Sequence, residues 1–471
     1  MTAVPWLTLG VLLPLVAAVV LRLRPPSRQL ALFMAVACTV PPVGASFVAS
    51  KRAGDWLVDP WHAGGVPVLG ADPLSLLLLV TSSVVLGLVV VVAPRRELRA
   101  QTLASMFVRH GLAMLVFSST HVLVLLAAWC AIVLPAMSAL GSANAPLQVR
   151  RAFNVLVGGG AVLVALAGVA VATLYRDHPM DVRHIADNGL APWLDGVLAL
   201  AILAGTLSRM GLVPFHSWYP VLLADGPVTV AAPIASAFSG AYLLVRLALP
   251  LDAASSTGGP WALTCLAVVG SIYAALLALA SDKLRYTNAY LVMSQSSLVL
   301  LGFGSGEADA MTGAMLFAIA TGFAAVGLVI TTRGLTARVG TVDLARHNGH
   351  YRAFPRLAAT QFVFGLALIG FPGFASYVGE DLVFEGEGRK HLAVAIALVA
   401  VTGLNGVTFF RAFTRAFLGA APRVPTLAPD IHPRKGLVLV GVLLVLVLVS
   451  SVPLRAIRES VHVEGVVAHE R

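Results

Sequence analysis

The sequence predicts an all-α integral membrane protein, a bundle of about fourteen transmembrane helices. Three observations predict this fold class. Of the 471 residues, 58% are hydrophobic and only 11% are charged, whereas soluble proteins carry about 25% charged residues. The apolar runs Val84–Ala93 and Leu437–Val449 are long and uninterrupted, which favours helices over the alternating pattern of a membrane β-barrel. Basic and acidic connections also alternate along the chain, as membrane topology requires.

About fourteen apolar runs, each of roughly 20 residues, account for the helices in order. The first begins at Val4 with no basic residue before it, so we expect a membrane span and not a cleaved signal peptide. Two runs carry polar residues: 102–118 contains Arg109 and His110, and 286–303 contains tyrosine, asparagine, serine and glutamine. No linker interrupts the series, so residues 1–471 are predicted to form a single polytopic membrane domain. The predicted spans are 4–21, 30–50, 73–93, 102–118, 121–141, 154–174, 194–213, 228–250, 261–281, 286–303, 309–331, 356–378, 392–412 and 436–453.

The charge of the connections predicts the orientation. Odd-numbered connections are mostly basic and even-numbered ones are mixed or acidic; the seventh, at 214–227, is the odd connection without a basic residue. Because basic loops stay in the cytoplasm, we expect a multi-pass protein of the bacterial inner membrane with both termini on the outer, periplasmic side. The same rule accounts for the net charge of +10. Membrane lipid, and not nucleic acid, is therefore the expected surroundings.

The sequence offers little for a metal or a cofactor. Cys38, Cys130 and Cys265 all lie in apolar runs and form no CxxC pair, which indicates small core residues. No phosphate-binding loop is present, so primary ATP-driven transport is not predicted. We expect no metal, cofactor or catalytic centre in this chain and no enzymatic activity of its own.

A prolyl break follows the seventh apolar run. Arg209 lies inside that run, a little over one helical turn before Pro214. Arginine stays charged in proteins, so it can hold an anion or a carboxylate but cannot relay a proton; a buried ion pair between two helices is the alternative. His216 follows the break, and histidine titrates near neutrality. It is a candidate proton relay, or a histidine satisfied by a carbonyl freed at Pro214.

Two polar segments follow this break. Asp225, Gly226 and Pro227 form a turn that either joins two half-helices, where transporters bind ions, or simply connects two helices. Lys283 lies at the end of a later span, and polar side chains continue from it into the next helix as far as Gln295. This spacing indicates a hydrated helix face, although snorkelling charges explain the cluster equally well.

A second break contains Pro372 and Gly373, and the acidic pair Glu380 and Asp381 follows it on the predicted outer side. These acids either belong to an ion path or are solvated loop residues. Arg411 lies in the next span at the opposite depth, so we do not pair it with Glu380. Prolyl breaks in both halves of a chain indicate a secondary-transporter core. The predicted proton or ion path comprises Arg209, His216, Asp225, Lys283, Glu380, Asp381 and Arg411, and the predicted helix breaks are Pro214, Gly226, Pro227, Pro372 and Gly373.

Several of these segments resemble the antiporter-like membrane subunits of respiratory complex I and Mrp antiporters, the NuoL/MrpA-like family of proton-conducting proteins. The resemblance runs in family order over a core of about 72–415 and implies the family fold, about fourteen helices of which two are discontinuous. It also implies that the chain moves protons or sodium. The segments that carry it are Asp72–Ser75, Arg209–Pro220, Asp225–Val230, Tyr242–Arg246, Ser281–Arg285 and Ser294–Gln295.

The sequence departs from this family where the family carries titratable groups. Cys130 stands in place of a membrane-embedded glutamate, and Arg209 stands in place of a lysine. The family histidine of the eighth span falls within Ala231–Ala235, and a later His-x-x-x-Lys pair falls near Thr321 and Ala325. These departures count against a standard complex I pumping subunit.

One branch of the family is more similar around the second break. Gly370–Leu382 and Leu404–Ala412 resemble sequences of DabB, the membrane subunit of the Dab inorganic-carbon transporter. This resemblance implies a large peripheral DabA-like partner, a zinc protein similar to β-carbonic anhydrases. The zinc would lie in that partner, because no zinc ligand set is apparent in this chain.

Three functions are therefore open, and the sequence favours the first. The chain is a subunit of an energy-coupled inorganic-carbon transporter, in which proton or cation flow drives bicarbonate or CO2 uptake at the partner. Alternatively, it is a proton-translocating subunit of a complex I-like NADH dehydrogenase, a membrane hydrogenase or an Mrp-type cation/proton antiporter. The third function is that of a non-conducting membrane scaffold for a soluble partner.

Overall fold

The structure is a computed structural model that describes residues 4–24, 27–50, 56–175, 179–189, 192–236, 238–255, 259–420, 428–432 and 441. These residues are mostly α-helical, and ten of their helical segments are long and apolar enough to cross a membrane. The predicted fold class, an all-α integral membrane protein, is confirmed. The count of fourteen spans stays a prediction.

The chain up to Met210 is mostly helical, with a small β-structure between the second and third helices. The helices are α1 (Trp6–Leu23), α2 (Arg28–Ala49), α3 (Pro73–Val92), α4 (Ala100–Ser118), α5 (Val122–Ala131), α6 (Val133–Ser142), α7 (Leu147–Leu174), α8 (Val182–Asn188) and α9 (Pro192–Met210). The strands are β1 (Leu57–Val58), β2 (His62–Ala63), β3 (Val66–Pro67) and β4 (Gly70–Ala71). β1 pairs with β4 and β2 with β3, both antiparallel, so this segment is a pair of short ribbons.

The rest of the described chain is helical as well. The helices are α10 (Trp218–Asp225), α11 (Val228–Ala235), α12 (Phe238–Leu243), α13 (Leu249–Ser255), α14 (Gly259–Ala280), α15 (Leu284–Gly304), α16 (Ala308–Val339), α17 (Pro355–Leu368), α18 (Ala375–Lys390) and α19 (Leu392–Phe417). A π-helical turn, Leu244–Ala248, joins α12 to α13. Such turns interrupt the regular backbone bonding and often accompany functional sites.

Every predicted span within the described residues coincides with helical structure, including the polar runs that became α4 and α15. The span predicted at 121–141 comprises α5 and α6, and the one at 228–250 comprises α11, α12, the π-turn and part of α13. The fourteenth predicted span, 436–453, lies outside the described residues except for position 441.

The described residues group into two compact units. The first contains those of Met1–Met210 and Phe238–Gly259, and the second contains those of Gly211–Ala237 and Pro260–Leu454. Large buried side chains such as Phe107, Trp129 and Phe153 form the core of the first unit. A single polytopic domain over residues 1–471 stays a prediction.

The second unit is built around α16, which is buried along its membrane-spanning length. Two glycines let α18 approach it closely. A Cβ atom at Gly313 of α16 would lie 2.7 Å from the carbonyl oxygen of Gly379 on α18, so neither position has room for a side chain. Small residues at such crossings let membrane helices pack backbone to backbone. Glu380 is the next residue of α18 after this close approach and is 9% exposed.

The first predicted break is confirmed between α9 and α10. Gly211 begins it with a φ of +68°, and a Cβ atom there would lie 2.3 Å from Cγ of Tyr219, so glycine is required at this position. The Val213–Pro214 peptide bond is cis. The seventh connection predicted at 214–227 is wrong in extent, because α10 occupies Trp218–Asp225 and leaves only a short turn before α11. An eight-residue helix is too short to register as an apolar span.

The second predicted break is also confirmed, and it corrects the position of two acids. α17 ends at Leu368 and the chain becomes helical again at Ala375. Glu380 and Asp381 were expected just outside the membrane, but both lie on α18, the second half of this broken helix. The error arose because the charged side chains of α18 lower its hydropathy to that of a loop.

Candidate functional site

The candidate site is built on the break between α17 and α18. Gly370 and Gly373 have φ values of +69° and +103°, a conformation that favours glycine. The hydroxyl of Ser376 donates a 2.6 Å hydrogen bond to the carbonyl oxygen of Ala367. This bond links the two half-helices and satisfies a carbonyl group that the break leaves without its helical partner. The break is therefore a defined structure that can hold a polar side chain at membrane depth.

Glu380 is the acidic side chain that this break accommodates. It is 9% exposed, and the hydroxyl of Thr402 on α19 donates a hydrogen bond to its Oε1 atom. The other carboxyl oxygen, Oε2, faces the break, and a Cβ atom at Gly370 would lie 2.1 Å from it. Gly370 therefore provides both the turn and the space for the carboxyl group. Among the described residues, no basic side chain lies within ion-pair distance of Glu380.

A pocket of about 350 Å3 lies beside this carboxyl group, between α18 and α19. Glu380, Asp381 and Thr402 form its polar part. Its apolar walls are Tyr377, Phe384, Leu398 and Val399, together with Gly370 and Gly403. A carboxyl group in such a cleft can gain and lose a proton, provided that water or another acid reaches it.

Glu387 is a second buried acid on α18 that sequence reasoning missed. It is 0% exposed, and neither of its carboxyl oxygens has a hydrogen-bond partner within the described part of the chain. Glu387 follows Glu380 by seven residues, so the two lie on one face of the helix. That spacing was readable in the sequence, but only once 375–390 was recognised as helical.

A line of neutral polar side chains crosses the core of the same unit. The Asn405 amide donates a 2.9 Å hydrogen bond to the Ser294 hydroxyl, which donates in turn to the carbonyl oxygen of Ser271 at 3.0 Å. Nearby on α15, Gln295 is fully buried, and neither end of its amide has a partner among the described residues. Buried amides are normally hydrogen-bonded, so Gln295 is an exception within the described core. The hydrated face of α15 stays a prediction.

Asp225 is held by the start of α15. The Arg285 guanidinium lies 2.6 Å from its Oδ1 atom, and the hydroxyl of Tyr286 donates to its Oδ2 atom at 2.6 Å. A guanidinium nitrogen of Arg333 donates to the neighbouring carbonyl oxygen of Ala224 at 2.8 Å. The turn after Asp225 thus adjoins basic residues of two other helices, which explains why it has none of its own.

The other predicted site residues of the second unit lie apart from Glu380. His216 is half-buried in the first break, with its ring centroid 5.1 Å from that of Tyr273. Lys283 is exposed at the start of α15. Arg411 donates to the carbonyl oxygens of Leu279 and Ser281 at 2.6 and 3.2 Å, so it caps the end of α14. Arg411 and Glu380 do not pair, as expected.

Arg209 belongs to the first unit, where it packs on Trp129. Its Nη2 atom donates a 2.7 Å hydrogen bond to the carbonyl oxygen of Trp129, and its guanidinium lies 4.3 Å from the centre of the indole ring. No carboxylate among the described residues lies within ion-pair distance of it. The ion-pair alternative is therefore not observed among these residues. The thiol of Cys130 donates to the carbonyl oxygen of Ala161.

A buried ion pair in the first unit was also missed. Arg246, in the π-helical turn, contacts the carboxylate of Asp72, which caps the start of α3. The Tyr242 hydroxyl lies 3.0 Å from the hydroxyl of Ser75, so both partners sit in a hydrogen-bonded network. The sequence motifs that contain Asp72 and Arg246 were both visible. However, the two residues are 174 positions apart, and nothing in the local sequence indicated that they are in contact.

We predict that Arg246→Gln destabilises the protein by about 3–5 kcal/mol, because it leaves the Asp72 carboxylate buried without its counter-ion. The matched control is Arg183→Gln, since Arg183 forms an exposed ion pair with Asp181. That pair is worth about 0–1 kcal/mol. The measurement is the thermal denaturation of the full chain in detergent, followed by size-exclusion chromatography. Equal shifts for the two variants would contradict a structural role for the buried pair.

Within the described residues, no group of three or more histidine, cysteine, aspartate or glutamate side chains is arranged to hold a metal ion. Six of the seven predicted path residues lie in the second unit, and Arg209 lies in the first. The second unit brings Asp381 together with Glu380 at the pocket, and it places Asp225 with the basic start of α15. Buried titratable chemistry in this unit thus centres on the second break.

The chain is similar in sequence to known membrane proteins. The sequence model of a family described as "NADH:quinone oxidoreductase/Mrp antiporter, TM" matches residues 119–405, more than half of the chain. The chain is 29% identical to NADH-quinone oxidoreductase subunit M of Pseudomonas aeruginosa over 303 residues, which is 63% of this chain and 59% of that protein. It is 26% identical to NADH-quinone oxidoreductase subunit 13 of Thermus thermophilus over 360 residues, 74% and 75% of the two chains. The match thus spans less than two thirds of the Pseudomonas relative.

Solved structures show the same fold. A chain of respiratory complex I from Thermus thermophilus superposes with a TM-score of 0.86 at 22% identity, covering 98% of this chain and 99% of that one. A chain of the Mrp complex from Dietzia sp. superposes with a TM-score of 0.83 at 15% identity, covering 99% and 100%. At these identities the structural likeness establishes the fold alone.

Proposed function

Because the chain belongs to the membrane-subunit family of NADH:quinone oxidoreductases and Mrp antiporters, we propose that it is a proton-translocating subunit of a complex I-like or Mrp-type membrane assembly. It contributes ion movement to that assembly and no redox chemistry. The relatives it matches are named as subunits of NADH-quinone oxidoreductase, so further subunits are expected as partners.

The observation that carries this proposal is the buried carboxyl group of Glu380 at the second break. An ionisable side chain within a membrane helix is costly unless function requires it. The structure around Glu380 accommodates its carboxyl group. Gly370 leaves room for Oε2, and the Thr402 hydroxyl donates a hydrogen bond to Oε1. Broken helices are where secondary transporters hold their coupling ions. Glu380 is therefore the residue that we assign to proton binding and release.

The neutral polar line of the same unit supports a hydrated path. Ser294, Asn405 and Gln295 do not ionise at neutral pH, but they can hydrogen-bond to water, and the Gln295 amide has no partner among the described residues. Chains of water between such groups conduct protons without a titratable residue at each step. His216 in the first break is the proposed second titrating group. Asp225 and Arg411, both hydrogen-bonded at helix ends, are assigned to structure and to the local charge.

Arg209 is proposed to act as a fixed positive charge. Its guanidinium does not deprotonate, and within the described residues it interacts with an indole ring and a carbonyl oxygen instead of a carboxylate. A charge held in this way raises the local potential and opposes the entry of other cations. It replaces the titratable lysine of relatives with a permanent electrostatic barrier.

A second candidate is a membrane subunit of an inorganic-carbon transporter with a large zinc-containing partner. The sequences Gly370–Leu382 and Leu404–Ala412 favour it, and the first of them contributes lining residues to the Glu380 pocket. We place it second because the matched relatives are named as respiratory subunits. In either assembly the proposed orientation puts both termini on the outer side of the membrane.

Purification of the full chain from its native membrane distinguishes these candidates. We expect a stable assembly that contains either iron–sulfur subunits of the NADH dehydrogenase or hydrogenase type, or further antiporter subunits, identified by mass spectrometry. A single large zinc-containing partner would instead support the inorganic-carbon transporter. A chain that purifies without any partner protein would contradict both.

A further inference from the structure

The pocket beside Glu380 has walls that proton transfer does not require. Tyr377 and Phe384 of α18 and Val399 of α19 line it and are 43%, 41% and 56% exposed. These side chains lie at its mouth, so the pocket opens on an apolar surface of the two helices. Its volume of about 350 Å3 falls in the range of small-molecule sites, about 300–1,000 Å3. Molecules dissolved in the membrane can therefore enter it.

The polar end of this pocket carries two acidic side chains. Glu380 and Asp381 both line it, and none of the described lysine, arginine or histidine side chains lies within ion-pair distance of either carboxyl group. Glu380 accepts a hydrogen bond from the Thr402 hydroxyl. A buried carboxylate without a counter-ion attracts a cation that can reach it.

The apolar walls select the type of cation. Calcium and magnesium ions require about six or more oxygen ligands, whereas here the polar groups occupy one end of a largely apolar cleft. Aromatic rings such as those of Tyr377 and Phe384 attract organic cations through their π faces. An uncharged hydrocarbon, such as a lipid chain, would pack against the apolar walls but would leave the carboxyl group without a charged partner. A cation with an apolar body satisfies both ends.

We propose that this pocket is a binding site for amphipathic organic cations that enter from the membrane. The ammonium or guanidinium head lies on the carboxylate of Glu380, and the apolar body lies against Tyr377, Phe384 and Val399. Binding requires only the pocket and its charge, so it does not depend on whether the protein moves protons.

The test uses the full chain in its native assembly and the probe 4-phenylbutylammonium, with neutral 4-phenylbutan-1-ol as the control of equal shape. A hydrophobic carbodiimide reports occupancy: the carboxyl group of Glu380 adds across its C=N bond, and the adduct rearranges to an N-acylurea without a leaving group. Mass spectrometry of the α18 peptide measures this modification. We expect the ammonium compound to protect Glu380 at concentrations about tenfold lower than the alcohol does, a difference of about 1.4 kcal/mol in binding.

Two glycines of α19 provide a matched pair of variants. A Cβ atom at either Gly403 or Gly406 meets no atom within 4 Å, so both accept a side chain, but only Gly403 lines the pocket. Gly403→Leu is expected to weaken protection by the ammonium compound about tenfold or more. Gly406→Leu is expected to leave it within about twofold of the wild type.

Three results would overturn the proposal. Equal protection by the alcohol and the ammonium compound would show that charge is not recognised, a comparison that needs no variant. Equal weakening in Gly403→Leu and Gly406→Leu would show that the pocket is not the site. Failure of the carbodiimide to modify Glu380 in the wild-type protein would show that the carboxyl group is not reachable from the membrane.

Discussion

Glu380→Gln is expected to abolish proton translocation. Glutamine is nearly isosteric with glutamate and can still accept the hydrogen bond from Thr402, but its amide cannot bind and release a proton. The helix break and the pocket should therefore persist while transport stops. The measurement is the initial rate of proton entry into membrane vesicles that contain the variant, driven by an imposed membrane potential and followed with a pH-sensitive dye. We expect a rate equal to that of vesicles without the protein.

The matched control for this variant is Glu385→Gln on the same helix. Glu385 is exposed and pairs with Arg389 one turn later, away from the pocket, so its loss should leave the rate unchanged. Comparable expression of both variants in the membrane shows that folding is not the cause. Normal transport by Glu380→Gln would remove Glu380 from the proton path and leave His216 as the remaining candidate.

Arg209 variants should separate the effect of charge from the effect of contact. Arg209→Gln retains a side-chain N–H that can donate to the carbonyl oxygen of Trp129 but removes the positive charge. Because this charge opposes cation entry, we expect its loss to raise the initial rate of proton entry about tenfold, which corresponds to about 1.4 kcal/mol in the barrier. Arg209→Lys keeps the charge and should retain at least about half of the rate. The same vesicle assay measures both.

The relative proton-entry rates of these two variants test the charge hypothesis. If glutamine supported normal transport and lysine did not, shape and packing on Trp129 would explain the role of Arg209, and charge would not. Rates that are unchanged in both variants would show that Arg209 has no part in transport. Because lysine can deprotonate and arginine cannot, a new pH dependence in Arg209→Lys would further identify this position as electrically coupled to the path.

Hydropathy predicted the fold class well because it depends on local composition. A run of about 20 apolar residues has few alternatives to a membrane helix. Gly211 and Gly370 mark the two confirmed breaks with positive φ values, next to prolines that were visible in the sequence. The same method failed at α10, which is short, and at α18, whose acidic residues lower its hydropathy.

The candidate site was predicted in its residues but not in its arrangement. Glu380 was identified from the break before it, yet its surroundings depend on Gly370, which leaves room for its carboxyl group, and on Thr402, which donates a hydrogen bond to it. Glu387 was not recognised for the same reason, since its burial is a property of helix packing. The contact between Arg246 and Asp72 joins distant parts of the chain. Sequence spacing cannot reveal such contacts, because they depend on how helices pair in three dimensions.

The most direct test of the central claim is the proton flux carried by the wild-type chain, purified with its native partners and reconstituted into proteoliposomes. A potassium diffusion potential drives the flux, so no assumption about the physiological substrate is needed. We predict proton entry well above that of protein-free liposomes, reduced to the liposome background by Glu380→Gln. An intact wild-type assembly that admits protons no faster than protein-free liposomes would contradict the assignment of this chain as a proton-translocating subunit.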